Sequence, residues 1–121
     1  LQVGDAPLCT LFDDSEPHTF DGEAATSATL IDGAIVDLNV MSRRDRSRHA
    51  VKRLSIEGAV RFPVHPCPTF VFCQRGELRC RADNDVALLG PEDCIVFDSA
   101  TAAILEAAER AQVLLIELFA P

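Results

Sequence analysis

Several things are missing from this 121-residue chain, and each absence closes off a class of protein. No apolar run approaches the ~20 residues that cross a bilayer as a helix, and no basic-then-apolar stretch of the secretory kind opens the sequence. A cytoplasmic protein with no membrane association is the expectation. Lys and Arg are absent from residues 1–42, which carry eight Asp and Glu, and the net charge is −8. Affinity for a phosphate backbone rests on many cations acting together, so this balance argues against a nucleic-acid partner. The exception is local: residues 43–53 hold six of the 11 cations and one acid. That cluster lacks the glycine-rich nest that cradles a phosphate and the interleaved aromatics on which bases stack. Arg46, Arg48, Lys52 and Arg53 therefore read as a solvated loop and strand edge. No CxxC pair occurs among the five cysteines, and their number is odd. Zinc ligands usually come in closely spaced pairs and disulfide frameworks in even counts, so Cys9, Cys67, Cys73, Cys80 and Cys94 read as small hydrophobes.

What is present is an apolar content of 48%, enough for the core of one ordinary domain. Turn signals recur at Asp13-Asp14-Ser15, Asp21-Gly22, Asp32-Gly33, Glu57-Gly58, Arg75-Gly76, Asp83-Asn84-Asp85 and Gly90-Pro91. Between them lie short runs rich in β-branched and aromatic residues, at 29–31, 35–41, 50–56, 69–74, 78–81, 94–98 and 112–119. Such spacing predicts an all-β antiparallel barrel or sandwich. Residues 100–110 are rich in Ala, Leu and Glu, which favour a helix. Against that, Thr101-Ala102-Ala103-Ile104-Leu105 continues the strand rhythm, and Glu109-Arg110 falls where a turn into 112–119 is needed, so two strands are predicted here.

The stretch Phe70-Val71-Phe72-Cys73-Gln74-Arg75-Gly76-Glu77-Leu78, followed by Leu89-Gly90-Pro91-Glu92-Asp93-Cys94-Ile95, resembles a cupin half-barrel, with a Gly-containing hairpin after one strand and a Pro-containing turn before another. The cupin metal motif has two His one residue apart, then a Glu, then a later His. Here Arg79, Cys80 and Arg81 occupy that region, and His18, His49 and His65 lie outside it. Neither a metal nor any other cofactor is expected.

Upstream, Pro17-His18-Thr19-Phe20-Asp21-Gly22-Glu23, Leu30-Ile31-Asp32-Gly33 and Asp37-Leu38-Asn39-Val40-Met41-Ser42-Arg43-Arg44 occur in an order similar to that of the HutD/Ves bicupins. Those proteins carry a Phe-x-Gly-Asp/Glu turn, a Leu-Leu-Asp-Gly step and an Asp-Phe-Asn-x-Met-x-Arg-Arg strand. The resemblance covers the whole chain and implies a cupin-like jelly roll: the end of a first cupin over residues 1–44 and a complete second cupin over 45–121. The family's Trp-Lys-Asn-Gly-Gly-Gly stretch has no counterpart in a chain without tryptophan. The expectation is a fragment or an abbreviated relative, completed by self-association or by its missing N-terminal half.

In a strand over 35–43, Asp37, Asn39, Met41 and Arg43 face one way, while Val36, Leu38 and Val40 face the other. The polar set offers an acceptor, a mixed donor–acceptor, adaptable apolar surface and a planar fork for a carboxylate. With His18 from the family turn, these are the candidate ligand contacts. The bland alternative is a solvated polar face over an apolar one. The resemblance implies a metal-free protein that binds a small carboxylate, urocanate for example, and modulates histidine utilisation, with no catalytic residue. The competing reading is a metal-free isomerase or lyase with Asp37 as base and His18 as acid.

Overall fold

A computed structural model describes residues 1–63, 67–98 and 102–121, so His65 and the first residue of the strand expected at 101–105 fall outside the described residues. The chain divides into two compact units, Leu1–Met41 and Ser42–Pro121. No helix occurs among the described residues, and every regular element is a β-strand.

In the first unit, β1 (Gln2–Val3) pairs antiparallel with β2 (Thr26–Ser27), matching Gln2 to Ser27 and Val3 to Thr26. Side chains that satisfy nearby backbone hold the turns, as Asn, Asp and Ser commonly do. The Asp21 carboxylate accepts the Glu23 N–H at 3.0 Å, and the Ser15 hydroxyl oxygen accepts the Phe12 N–H at 2.8 Å. Residues 29–31 and 35–41 do not form the strands expected of them. Alternation is a property of one segment, whereas a strand exists only with a neighbour to receive its N–H and C=O groups.

The second unit contains β3 (Arg48–Pro63), β4 (Thr69–Arg75), β5 (Leu78–Ala82), β6 (Asp85–Leu89), β7 (Cys94–Phe97) and β8 (Ala102–Phe119). All pairings are antiparallel, in the order β6-β5-β8-β4-β7, with β3 along the other side of β8. Strands were expected at β4, β5 and β7; β6 went unrecognised because its first residue, Asp85, belongs to the turn signal Asp83-Asn84-Asp85 and leaves only the short run Val86-Ala87-Leu88-Leu89.

The strand at the centre differs most from expectation. Residues 102–119 form one strand of 18 residues, with no turn at Glu109-Arg110. Glu57-Gly58 is likewise no turn but lies within β3, at an irregularity where the register steps from Ile56↔Ala111 to Gly58↔Ala107, so that Ala108, Glu109 and Arg110 of β8 stand against Glu57 alone. Gly58 there adopts a φ of +75°, which only glycine takes up without strain. At the same point β8 changes its other neighbour: Glu106 pairs with Arg79 of β5, and Gln112 pairs with Arg75 of β4. The helix-favouring composition is overridden because Ala103, Leu105 and Ala107 alternate into the core while Glu106 stays outside.

That core is formed by Ile56, Val71, Cys73, Leu78, Cys80, Leu89, Phe97, Leu105, Val113 and Leu115 with small alanines between them. Burial raises the thiol pKa of both Cys73 and Cys80, that of Cys80 to about 11. Their neutral forms are therefore favoured by folding. The contribution is complete below the ordinary thiol value of 9.0 and is lost as pH rises through about 11. Thermal melts should show stability falling over that interval, and Cys80→Ala should flatten the slope.

Candidate ligand-binding site

The proposed contacts occupy exposed positions. In the first unit, Asn39 donates its side-chain amide to the Asp37 carboxylate at 3.1 Å, as residues two apart on an extended chain can. Met41 is 88% exposed. His18 Nδ1 lies 3.7 Å from Cys9 Sγ, and its ring centroid is 5.9 Å from that of Phe20. In the second unit, Arg43 begins a turn in which its carbonyl accepts the N–H groups of Arg46 and Ser47, and its guanidinium is 3.8 Å from Asp45. Asp37 thus accepts from Asn39, and His18 lies beside Cys9.

Three features escaped the reading of the sequence. The first is the approach of His18 to Cys9, nine residues apart, through the turns of the first unit. The second is Glu117, only 4% exposed, with Lys52 Nζ 3.6 Å from its carboxylate. The run Val113-Leu114-Leu115-Ile116-Glu117 carried a signal, since Glu117 has the phase of core residues Val113 and Leu115. A carboxylate buried there requires partners. The third is a cavity of about 200 Å³ between the β5–β6 hairpin and β7, lined by Cys80, Ala82, Val86 and Phe97 with Asp83 and Asp98. It is smaller than the roughly 300–1,000 Å³ of drug-sized ligand sites, and its aspartates disfavour a carboxylate.

Where cupins carry metal ligands, Cys80 faces the core and Arg79 and Arg81 are exposed. Among the described residues no three His, Cys, Asp or Glu side chains come together in a way that could hold a metal ion. No helix among the described residues is long and apolar enough to cross a membrane.

Comparison with solved structures shows the fold. A conserved protein of unknown function from Pseudomonas aeruginosa PAO1 is 21% identical with a TM-score of 0.57, over 64% of this chain and 43% of that one. A cupin-2 domain protein from Shewanella frigidimarina NCIMB 400 is 17% identical with a TM-score of 0.53, over 64% and 74% of the two chains. A cupin superfamily protein from Desulfitobacterium hafniense DCB-2 is 19% identical with a TM-score of 0.50, over 64% and 72%. The match therefore spans less than half of the Pseudomonas chain. A search of curated proteins returned no relative. The curled antiparallel sheet of the second unit is cupin-like, and the HutD family model matches residues 1–115: the chain belongs to the HutD family.

Proposed function

We propose that this protein is a cytoplasmic, metal-free binding module that takes up a small carboxylate metabolite and modulates histidine utilisation without turning its ligand over. The candidate contacts are Asp37, Asn39, Met41, Arg43 and His18. The observation that carries the reading is the Asp37–Asn39 side-chain contact on an exposed extended segment. The contact orients an amide beside a carboxylate, and the exposed Met41 thioether two residues on supplies adaptable apolar surface. A site of this kind fixes a ligand with few polar groups. Engagement of Asp37 by Asn39 and of His18 by Cys9 favours binding over proton transfer. The sheet edges of the second unit that pair with no described strand favour association with another copy or with a further stretch of cupin.

Urocanate is the first ligand to test, because its loss is visible in ultraviolet absorbance. Saturable binding with an unchanged absorbance over a long incubation is the expected outcome. Steady consumption that saturates with urocanate concentration would replace this reading with the isomerase or lyase.

A further inference from the structure

On one face of the sheet in the second unit, arginines stand among apolar side chains that nothing described covers. Along β8, Ala103, Leu105 and Ala107 turn into the core, so Ile104 and Glu106 point outward. The ladders carry that phase into the neighbouring strands. Ile104 stands opposite Arg81 of β5 and Arg61 of β3, and Arg81 in turn stands opposite Val86 of β6. Two residues along, Glu106 stands opposite Arg79 and Ala59, and Arg79 opposite Leu88. All three arginines are exposed, with Val86 at 52% and Leu88 at 76%.

Among the described residues, Arg61, Arg79 and Arg81 have no ion-pair partner. They are three of the five cations outside residues 43–53; of the other two, Arg110 is engaged by Glu57 at 3.4 Å. Glu106 is the one acid in the two rows, so three cations less one acid leave the face positive on a chain of net charge −8. Such a local excess attracts a negative partner.

We propose that this face docks an acidic, partly apolar segment of a partner protein. The planar fork of arginine holds a carboxylate with two parallel hydrogen bonds. Arg79 and Arg81 are two residues apart on β5, so their side chains rise about 7 Å apart, a spacing that carboxylates two apart on an extended segment reproduce. Val86, Leu88 and Ile104 supply apolar contact between the charges. Three cations without an aromatic ring fall short of what a phosphate backbone or stacked bases require, which favours a polypeptide over a nucleic acid. A second copy meeting this face with its own would set arginine against arginine, and like charges so placed oppose association. The proposal goes beyond the ligand reading and does not depend on it.

Fluorescence anisotropy of a labelled peptide built of Glu and Leu in equal number, titrated with the full chain, tests the docking. Saturable binding that weakens as salt is raised is expected. With Ser in place of Leu the peptide should bind several-fold more weakly, and with Lys in place of Glu it should not bind. Arg81→Glu should raise the dissociation constant about tenfold or more. Arg46→Glu makes the same change in net charge on a different, exposed loop and should leave the constant unaltered. Unchanged melting temperatures show that both variants keep the fold. No saturable binding by the wild type overturns the proposal, as does an equal loss in the two variants. Tighter binding of a single-stranded oligonucleotide, lost in Arg81→Glu, overturns it in favour of a nucleic acid. Self-association of the wild type that Arg81→Glu abolishes overturns it in favour of a second copy.

Discussion

Leu105→Ala should lower the unfolding free energy by about 2–5 kcal/mol, the range for deleting a fully buried leucine side chain. Leu105 is 0% exposed and lies at the centre of the sheet, with Val60 of β3 on one side and Cys80 of β5 on the other. Both neighbours are held in ladders, so little can move to fill the space. Since a domain of this size is stable by only about 5–15 kcal/mol, the variant should unfold at clearly lower denaturant concentration with an unchanged m-value. A shift within the error of the midpoint would mean that β8 is not the central strand.

Gly76→Ala is expected to have an effect of comparable size, by a different mechanism. Gly76 adopts a φ of +86°, and a Cβ added there would lie 3.1 Å from both the Cα of Ala111 and the carbonyl oxygen of Arg110. The backbone conformation alone costs about 1–3 kcal/mol for a residue with a side chain. The contacts are with backbone, which cannot rotate aside, so overpacking adds about 1–3 kcal/mol more. This turn sits where β8 passes from β5 to β4, and the strain should therefore loosen both pairings. Chemical denaturation of Gly76→Ala beside Gly58→Ala tests the mechanism. A Cβ at Gly58 meets nothing within 4 Å, so that variant bears conformational strain alone and should lose less. Equal losses would locate the cost in φ and not in the packing against Ala111.

These two positions show which parts of the fold were legible in the sequence. β4, β5 and β7 were readable because each is a short alternating run closed by a local turn signal. The continuity of β8 was not, because Glu109-Arg110 has the composition of a turn. What keeps the chain extended there is pairing with β3 along one side and with β5 and then β4 along the other, all distant in sequence. Residues 35–41 illustrate the converse: their alternation was visible, but no described strand receives them. Of the candidate site, the Asp37–Asn39 contact follows from spacing alone, since side chains two apart share a face of an extended segment. The Cys9–His18 approach depends on how the turns of the first unit fold back, which no local pattern encodes.

The central proposal, that this HutD-family chain binds a small carboxylate with Arg43 among its contacts, is tested most directly by calorimetric titration of urocanate into the wild type and Arg43→Ala. The account predicts saturable binding to the wild type. It predicts a loss of about 1.5–3 kcal/mol in the variant, the range for a hydrogen bond to a charged group, which is roughly tenfold or more in Kd. Because the Arg43 side chain is 76% exposed, the melting temperature of the variant should stay unchanged. Equal affinity in the two proteins, or no saturable heat with the wild type, would contradict it and return these residues to a solvated surface.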